Sequence, residues 1–241
     1  MSAGLPQRKG PVEFPDRILP GTVQKRNALR SAAILFVACA CGWLVMELEI
    51  LGARVLAPYF GSAVYVVMGS VIGVFLLSLS VGYLLGGWLS KGPRSQLALG
   101  ISLSAASVWL SAEPFLTGPV CDGLVEAGFD EKWGSMAASL ALFSVPTALL
   151  GTVTPTAVRW LTGQATESGL KAGLVLALST VASFAGCVVT AFYLVLFSVR
   201  LTIWISAAAL FALGAVILLH LVLSGAGRRI SSSAERRHGG I

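Results

Sequence analysis

Three ionisable side chains stand close together in an otherwise apolar stretch, and these residues could do chemistry. Glu47, Glu49 and Arg54 fall within eight residues, in a run long enough to cross a membrane. An ionised group at the centre of a membrane helix costs roughly 2.5 to 3.5 kcal/mol, so such groups mark a functional site by default. Two hypotheses follow: a substrate or ion site, or a stabilising charge network at the membrane boundary whose long side chains reach water.

The helix that carries these residues must loosen if Glu49 and Arg54 are to pair directly. In a continuous helix, residues five apart are rotated by about 140°, whereas residues three or four apart face each other. Gly52 lies between them, and Pro58 disfavours helical geometry at the preceding residue. The sequence therefore predicts either a local opening near Gly52 or separate partners on other helices.

A second broken helix end is predicted around Gly151, Pro155 and Arg159. Helices one to three and four to six would then have opposite orientations, and each group would open with a helix that breaks at Gly and Pro near an Arg. Inverted repeats with broken helices at corresponding positions indicate transporter sites. Arg159 therefore joins Glu47, Glu49 and Arg54 as a candidate for the substrate site or charge network.

The sequence contains no nucleophile–base pair, no cluster of metal ligands and no phosphate-binding loop. We therefore expect no enzymatic activity, no metal site and no cofactor. Cys39, Cys41 and Cys187 lie in apolar runs, and only Cys121 is predicted in a loop, which does not suit a disulfide framework. Cys39 and Cys41 are two apart on a helix and point to opposite sides.

The composition indicates that the bilayer is the solvent. Hydrophobic residues make up 56% of the chain and charged residues 12%, whereas charged residues are roughly a quarter of a soluble domain. The net charge of +6 does not indicate nucleic-acid binding, because the basic residues lie in the tails and short connections rather than on one face with interleaved aromatics.

Six apolar runs can each cross a hydrocarbon core about 30 Å thick, which takes about 20 helical residues. We therefore predict an all-α, multi-pass integral membrane protein with a membrane domain at residues 31–223 in contact with the lipid bilayer. The runs are residues 31–56, 64–90, 96–113, 133–151, 170–197 and 201–223.

The basic residues predict the orientation. With a cytoplasmic N-terminus, fourteen of the seventeen Lys and Arg residues lie inside and three outside, so both termini are predicted to be cytoplasmic. The localisation is then a cell membrane, most simply a bacterial inner membrane. Residues 1–30 and 224–241 are expected to be basic, disordered cytoplasmic tails.

Residues 113–132 are expected to form the main external loop. Asp122, Glu126 and Asp130 recur every four residues beside apolar neighbours. This periodicity suits a short interfacial amphipathic helix, although a solvated loop explains the same acidic residues.

Small residues predict which helices pack closely. Gly82 and Gly86 stand four residues apart in the second helix, a spacing that lets a neighbouring backbone approach. The fifth helix carries a similar series of Gly and Ser, so we expect helices two and five to be the most buried. Pro58 and Gly61 mark the end of the first helix, as Gly151 and Pro155 mark that of the fourth.

Four motifs in the membrane region together resemble those of a known family. They are Glu49-x4-Arg54-x-Leu56-Ala57-Pro58-x-Phe60-Gly61-Ser62, Gly82-Tyr83-x2-Gly86-Gly87, Gly151-x3-Pro155-x3-Arg159 and Ser179-Thr180. They are similar to motifs in the membrane half of fused major-facilitator/spermidine-synthase proteins. The resemblance implies family positions at Glu49, Arg54, Pro58, Gly61, Gly82, Gly86, Pro155 and Arg159.

The soluble aminopropyltransferase-like domain that commonly follows these helices in the family is not expected here. No glycine-rich nucleotide-binding turn occurs, and eighteen residues follow the last predicted helix. No catalytic residue is therefore carried over from the family.

Two functions stay open after these observations. Charges at membrane depth and broken helix ends favour transport, or presentation to a partner, of a small cation, and the resemblance implies a polyamine-like compound. The small residues and the missing transferase domain equally suit a structural or assembly subunit of a larger membrane complex. Its partner would be a separate membrane protein or a spermidine-synthase-like protein.

Overall fold

The computed structural model describes residues 20–61, 64–92, 94–162 and 168–238. Within these ranges the chain is helical apart from short connections and contains no strand, which confirms the all-α prediction. The elements are α1 (Pro20–Phe60), α2 (Val64–Leu89), α3 (Ser95–Glu126), α4 (Glu131–Gly151), α5 (Val153–Leu161), α6 (Ser168–Phe192), a 3₁₀ turn (Leu194–Leu196) and α7 (Val199–His238).

Six helical spans of the described chain are long and apolar enough to cross a membrane, as predicted. The fourth, Glu131–Leu161, combines α4 and α5, which are separated by a turn at Thr152. Successive spans run in opposite directions, so α1 begins and α7 ends on the same side of the bundle. We call this side the terminal side and the opposite side the far side.

Both ends of the helical region extend further than expected. The structure places residues 20–30 in α1 and residues 224–238 in α7, where disordered tails were expected. Pro20 stands at the first helical position, where a missing N–H is tolerated, and no later proline interrupts either extension. Residues 1–19 and 239–241 of the expected tails lie outside the described residues.

The expected external loop at residues 113–132 is wrong, because α3 continues to Glu126. Pro114 and Pro119 lie inside this helix, and membrane helices tolerate proline when neighbouring groups satisfy the backbone. The connection shrinks to residues 127–130, where Gly128 adopts a positive φ of 78°. Asp130 then caps α4, its carboxylate accepting a bond from the Trp133 amide at 3.0 Å.

Burial differs from the expectation for the fifth span. In the most apolar window of each span, 56% of residues are buried for α4–α5, 44% for α1 and for α3, and 11% for α6. The expectation that helices two and five are the most buried is therefore wrong for both: α2, at 39%, is less buried than α1, α3 and α4–α5, and α6 is the least buried of the six described spans. Its small residues serve one close contact with α1 and leave its other face open to lipid.

That contact brings two backbones together. A Cβ added to Gly42 would lie 2.7 Å from the carbonyl oxygen of Ser179, and one added to Gly186 would lie 2.7 Å from that of Trp43. Such distances allow only glycine without a shift of the helices. α1 and α6 therefore pack in parallel along most of their length.

α2 and α4 form a second close parallel pair. The hydroxyls of Ser70 and Ser135 are 2.9 Å apart near the far side. Towards the terminal side, a Cβ on Gly82 would lie 2.9 Å from the Gly151 Cα, and one on Gly86 would lie 2.6 Å from the Thr152 Cα. The glycines of α2 therefore pack against the break between α4 and α5.

Pro146 removes one helical hydrogen bond inside α4, and α3 replaces it. Proline has no N–H to donate to the carbonyl four residues earlier, which belongs to Leu142. Trp109 donates its indole Nε1–H to that carbonyl at 2.8 Å. The bond holds α3 against α4 with the two helices antiparallel.

The predicted orientation can be tested by cysteine labelling of two exposed connections. Ala127 lies between α3 and α4 on the far side, and Lys91 lies between α2 and α3 on the terminal side. In intact cells, a membrane-impermeant maleimide is expected to modify Ala127→Cys above the level of the parent and to modify Lys91→Cys only after permeabilisation. The reverse pattern would show that the termini are external.

Candidate functional site

Glu47 is almost completely buried, with 3% of its surface exposed. The Trp43 indole donates to Oε2 at 2.9 Å from the preceding turn of α1, and the Ser206 hydroxyl donates to Oε1 from α7. Both carboxylate oxygens are therefore satisfied by neutral donors. Glu47 ties α1 to α7 without an adjacent cation.

Glu49 is half-buried and makes no hydrogen bond or ion pair within the described part of the chain. Two hydrogen bonds show which residues of α1 and α6 lie at the same depth. Ser179 donates to the Ala38 carbonyl, and Arg54 donates to the Val195 carbonyl. In both bonds the two residues are 141 positions apart in the sequence. The same spacing places Thr190 of α6 level with Glu49. The Thr190 hydroxyl is fully buried and has no hydrogen-bond partner among the described residues.

Arg54 does not neutralise either carboxylate of α1. Its guanidinium is exposed and donates through Nη1 to the carbonyl of Val195 in the 3₁₀ turn. α1 is continuous through Gly52, which is buried, and a Cβ there would lie 3.1 Å from the Phe143 ring. The predicted opening near Gly52 therefore does not occur. Arg54 instead bonds to a carbonyl in the turn that follows α6.

Glu113 is a third buried carboxylate, which was not recognised from the sequence. It is 0% exposed; Thr117 donates to Oε1 at 2.9 Å, and Oε2 has no partner among the described groups. The available signal was the apolar face of α3, since Leu103, Ala106 and Leu110 continue with helical spacing through Glu113 and Thr117. The predicted third span ends at residue 113, which places Glu113 at the start of the expected loop.

Two cross-helix bonds relate Glu113 to Glu47. Ser206 of α7 donates to Glu47, and Ser107 of α3 donates to the neighbouring Ala207 carbonyl at 2.8 Å. Glu47 therefore lies level with Ser107. Glu113 is six residues further along α3, or about 9 Å closer to the far side.

Two carboxylates thus lie inside the bundle and Glu49 is half-buried, and none of the three has a cationic partner in the described ranges. A buried charge is strongly unfavourable unless it is paired, so each group must be neutral or bind a cation. Two buried hydroxyls of α4, on Ser139 and Thr147, also lack partners. The interior can therefore offer acceptors to a proton or to a small cation.

The residues predicted at helix breaks lie at two distinct places. Pro58 and Gly61 stand at the far-side end of α1, where Gly61 adopts a positive φ of 96°. Gly151 and Pro155 flank the turn between α4 and α5, against Gly82 and Gly86 of α2. Neither break opens the helix between Glu47 and Arg54.

Arg159 does not belong to the carboxylate group. It lies on α5, on the terminal side, and lines an open cleft between α2, α5 and α6. Gly52 of α1 packs against Phe143 of α4, so these two residues lie at the same depth. Counting along each helix from this contact separates Arg159 from Glu49 by about 20 Å along the bundle axis. Glu47, Glu49 and Glu113 therefore lie in one half of the bundle, with Glu47 and Glu49 on opposite sides of α1, and Arg159 lies elsewhere.

No family model, curated protein or solved structure matches the chain. Function is therefore inferred from the residues themselves.

Proposed function

We propose that this protein transports a small polyamine-like cation, or presents it to a partner, using the carboxylate of Glu49 as the first binding group. The observation that supports this is the state of Glu49, which is half-buried at membrane depth and lacks any partner in the described chain. Glu47 and Glu113 are closed inside the bundle, and Glu47 lies on the opposite side of α1, so Glu49 is the carboxylate open to a cation. A bacterial inner membrane is the location that we propose with it.

The chemistry of the interior favours a linear polycation over a compact metal ion. No group of three potential metal ligands occurs among the described side chains, and Glu49 lies on a helix whose other residues near it are mostly apolar. A polyamine has ammonium groups separated by methylene chains, so one ammonium group can bind Glu49 while the methylene chain lies along apolar side chains. The resemblance of the motifs to spermidine-synthase-like fusions favours the same class of compound.

The helix pairing supports transport. The closest pairs are α1 with α6, α2 with α4, and α3 with α7. An inverted repeat relates spans one, two and three to spans four, five and six. This relation turns the α1–α6 pair into the α2–α4 pair and turns the α3–α7 pair into itself, as an inverted repeat requires. Transporter sites lie at the interface between such repeats, near the middle of the membrane.

Carbodiimide labelling tests the proposal without a transport assay. Dicyclohexylcarbodiimide enters apolar regions and reacts with protonated carboxyl groups, and peptide mass spectrometry identifies the modified residue. We expect the purified protein to be modified at Glu49, and spermidine to reduce this modification because it occupies the same carboxylate. NaCl at equal ionic strength is expected to leave the modification unchanged.

Glu126 serves as an internal reference in the same digest. It is an exposed acidic residue at the end of α3, outside the proposed path. Spermidine should not alter its labelling relative to NaCl. If Glu49 is modified equally with spermidine and with NaCl, the proposed cation site is wrong.

Assembly into a larger membrane complex is a second candidate, favoured by one observation. Gly69 and Gly73 lie on an exposed face of α2, and nothing in the described structure lies within 4 Å of a Cβ placed on either residue. This spacing lets a helix of another protein approach closely. Purification in mild detergent distinguishes the candidates, because a subunit would copurify with a stoichiometric membrane partner that Gly73→Leu displaces.

A further inference from the structure

The cleft beside Arg159 is separate from the carboxylates and has the opposite chemistry. It has a volume of about 720 Å³ and opens on the terminal side between α2, α5 and α6. Arg159 lines it together with the hydroxyl groups of Tyr83, Ser90, Thr154 and Thr162. Leu176 of α6 contributes to its apolar wall.

The polar groups of this cleft are mainly available as donors. Ser90 and Thr162 already donate to the carbonyls of their own helices, at 2.9 and 2.7 Å. In the described chain, the Arg159 guanidinium and the hydroxyls of Tyr83 and Thr154 have no hydrogen-bond partner. Arg159 also has no carboxylate partner there, so the cleft holds an uncompensated positive charge beside free hydroxyl donors.

The charge of the surrounding surface has the same sign. The charged side chains described on the terminal side are all basic: Arg30, Lys91, Arg94, Arg159 and Lys171. Acidic residues are concentrated at the far side instead, at Asp122, Glu126, Asp130 and Glu131. Among the described side chains, an anion on the terminal side would therefore meet basic groups from several connections.

The aromatic residues place the cleft near the membrane boundary. Trp88, at the terminal-side end of α2, is exposed on the outer surface of the bundle, and Tyr83 lines the cleft itself. Tryptophan and tyrosine are enriched where hydrocarbon meets the polar headgroups. At this depth, a ligand can present an anionic group to Arg159 while apolar chains lie along α6.

We propose that this cleft binds a phosphate group, held by the guanidinium of Arg159 and by the hydroxyls of Tyr83 and Thr154. Arginine suits phosphate oxygens because its planar donors can form two parallel charge-assisted bonds. The phosphate belongs either to an anionic phospholipid or to a soluble phosphate compound. The site is independent of the cation site, so either can fail without the other.

Thermal stability in nanodiscs and in detergent tests the proposal and distinguishes the two sources. Parent, Arg159→Gln and Arg94→Gln proteins would be compared in phosphatidylcholine discs with and without phosphatidylglycerol. In detergent they would be compared in inorganic phosphate and in chloride of equal ionic strength. Arg94→Gln is the matched control, because it removes the same charge from the same side outside the cleft.

We expect phosphatidylglycerol or phosphate to raise the melting temperature of the parent and of Arg94→Gln but not of Arg159→Gln. The ligand that stabilises identifies the source. Native mass spectrometry of retained ligand should show binding to Arg159→Gln weakened by about fivefold or more, the effect of one basic residue near a membrane surface.

Equal losses in Arg159→Gln and Arg94→Gln would show a general effect of surface charge and overturn the proposal, as would the absence of stabilisation in both arms. If Arg159→Gln does not fold, Arg159→Lys and Tyr83→Phe provide the test. Each is expected to weaken binding partially, since each removes some donors and keeps the shape of the cleft. Full binding by both variants would also overturn the assignment.

Discussion

Replacing Gly82 with leucine is expected to prevent α2 from packing against α4 and to abolish most of the folded protein. A Cβ at this position would overlap the Ala148 carbonyl oxygen and would lie 2.9 Å from the Gly151 Cα. Both are backbone atoms, so no side-chain rotation can relieve the overlap. Overpacking costs about 1 to 3 kcal/mol and occasionally more, and leucine adds three further carbons to this first clash. Size-exclusion chromatography and thermal unfolding in detergent would measure the loss.

Gly73→Leu is the matched control in the same helix. Nothing lies within 4 Å of its Cβ position, and Gly73 is exposed on the outer face of α2. We expect its melting temperature to stay close to that of the parent, whereas Gly82→Ala should already be destabilised by about 1 to 3 kcal/mol. Equal damage from Gly73→Leu and Gly82→Leu would contradict the packing of α2 on the α4–α5 break.

The six spans were predictable because a hydrocarbon environment restricts both the composition and the backbone structure of a segment that crosses it. A segment that crosses hydrocarbon must be apolar over about 20 residues and must satisfy its own backbone, which leaves the helix as the solution in an all-α chain. Hydropathy alone therefore locates the six spans. It does not locate their ends, because α3 and α7 continue as helices beyond the apolar part.

The main error at the far side is the end of the third span. A loop was expected from residue 113, yet α3 continues through Pro114, so Glu113 is a buried carboxylate. A proline removes one ladder bond, and whether the helix survives depends on neighbours that the local sequence does not identify. At Pro146 the neighbour is Trp109, which supplies the missing donor to the Leu142 carbonyl.

The partners of the charged residues also depend on contacts between distant segments. Glu47 meets Ser206 across 159 residues, and Arg54 meets the Val195 carbonyl across 141. Helical spacing correctly indicated that Glu49 and Arg54 do not face each other along one continuous helix. It could not identify their partners, which depend on the relative depth of helices far apart in the sequence.

Replacing Glu49 with glutamine is expected to weaken spermidine binding by about tenfold to a hundredfold while the protein stays folded. A hydrogen bond to a charged group contributes about 1.5 to 3 kcal/mol, and glutamine keeps the shape of the side chain without its charge. Glu49 has no partner in the described structure, so its replacement breaks no internal contact. Glu126→Gln, which removes an exposed acidic group outside the path, should bind like the parent.

The most direct test of the cation site is the equilibrium binding of radiolabelled spermidine to parent, Glu49→Gln and Glu126→Gln proteins purified in the same detergent. We predict saturable binding to the parent and to Glu126→Gln, and its loss in a Glu49→Gln protein whose melting temperature is unchanged. Absence of saturable binding to the parent, or unchanged affinity in Glu49→Gln, would contradict the proposed role of the α1 carboxylates.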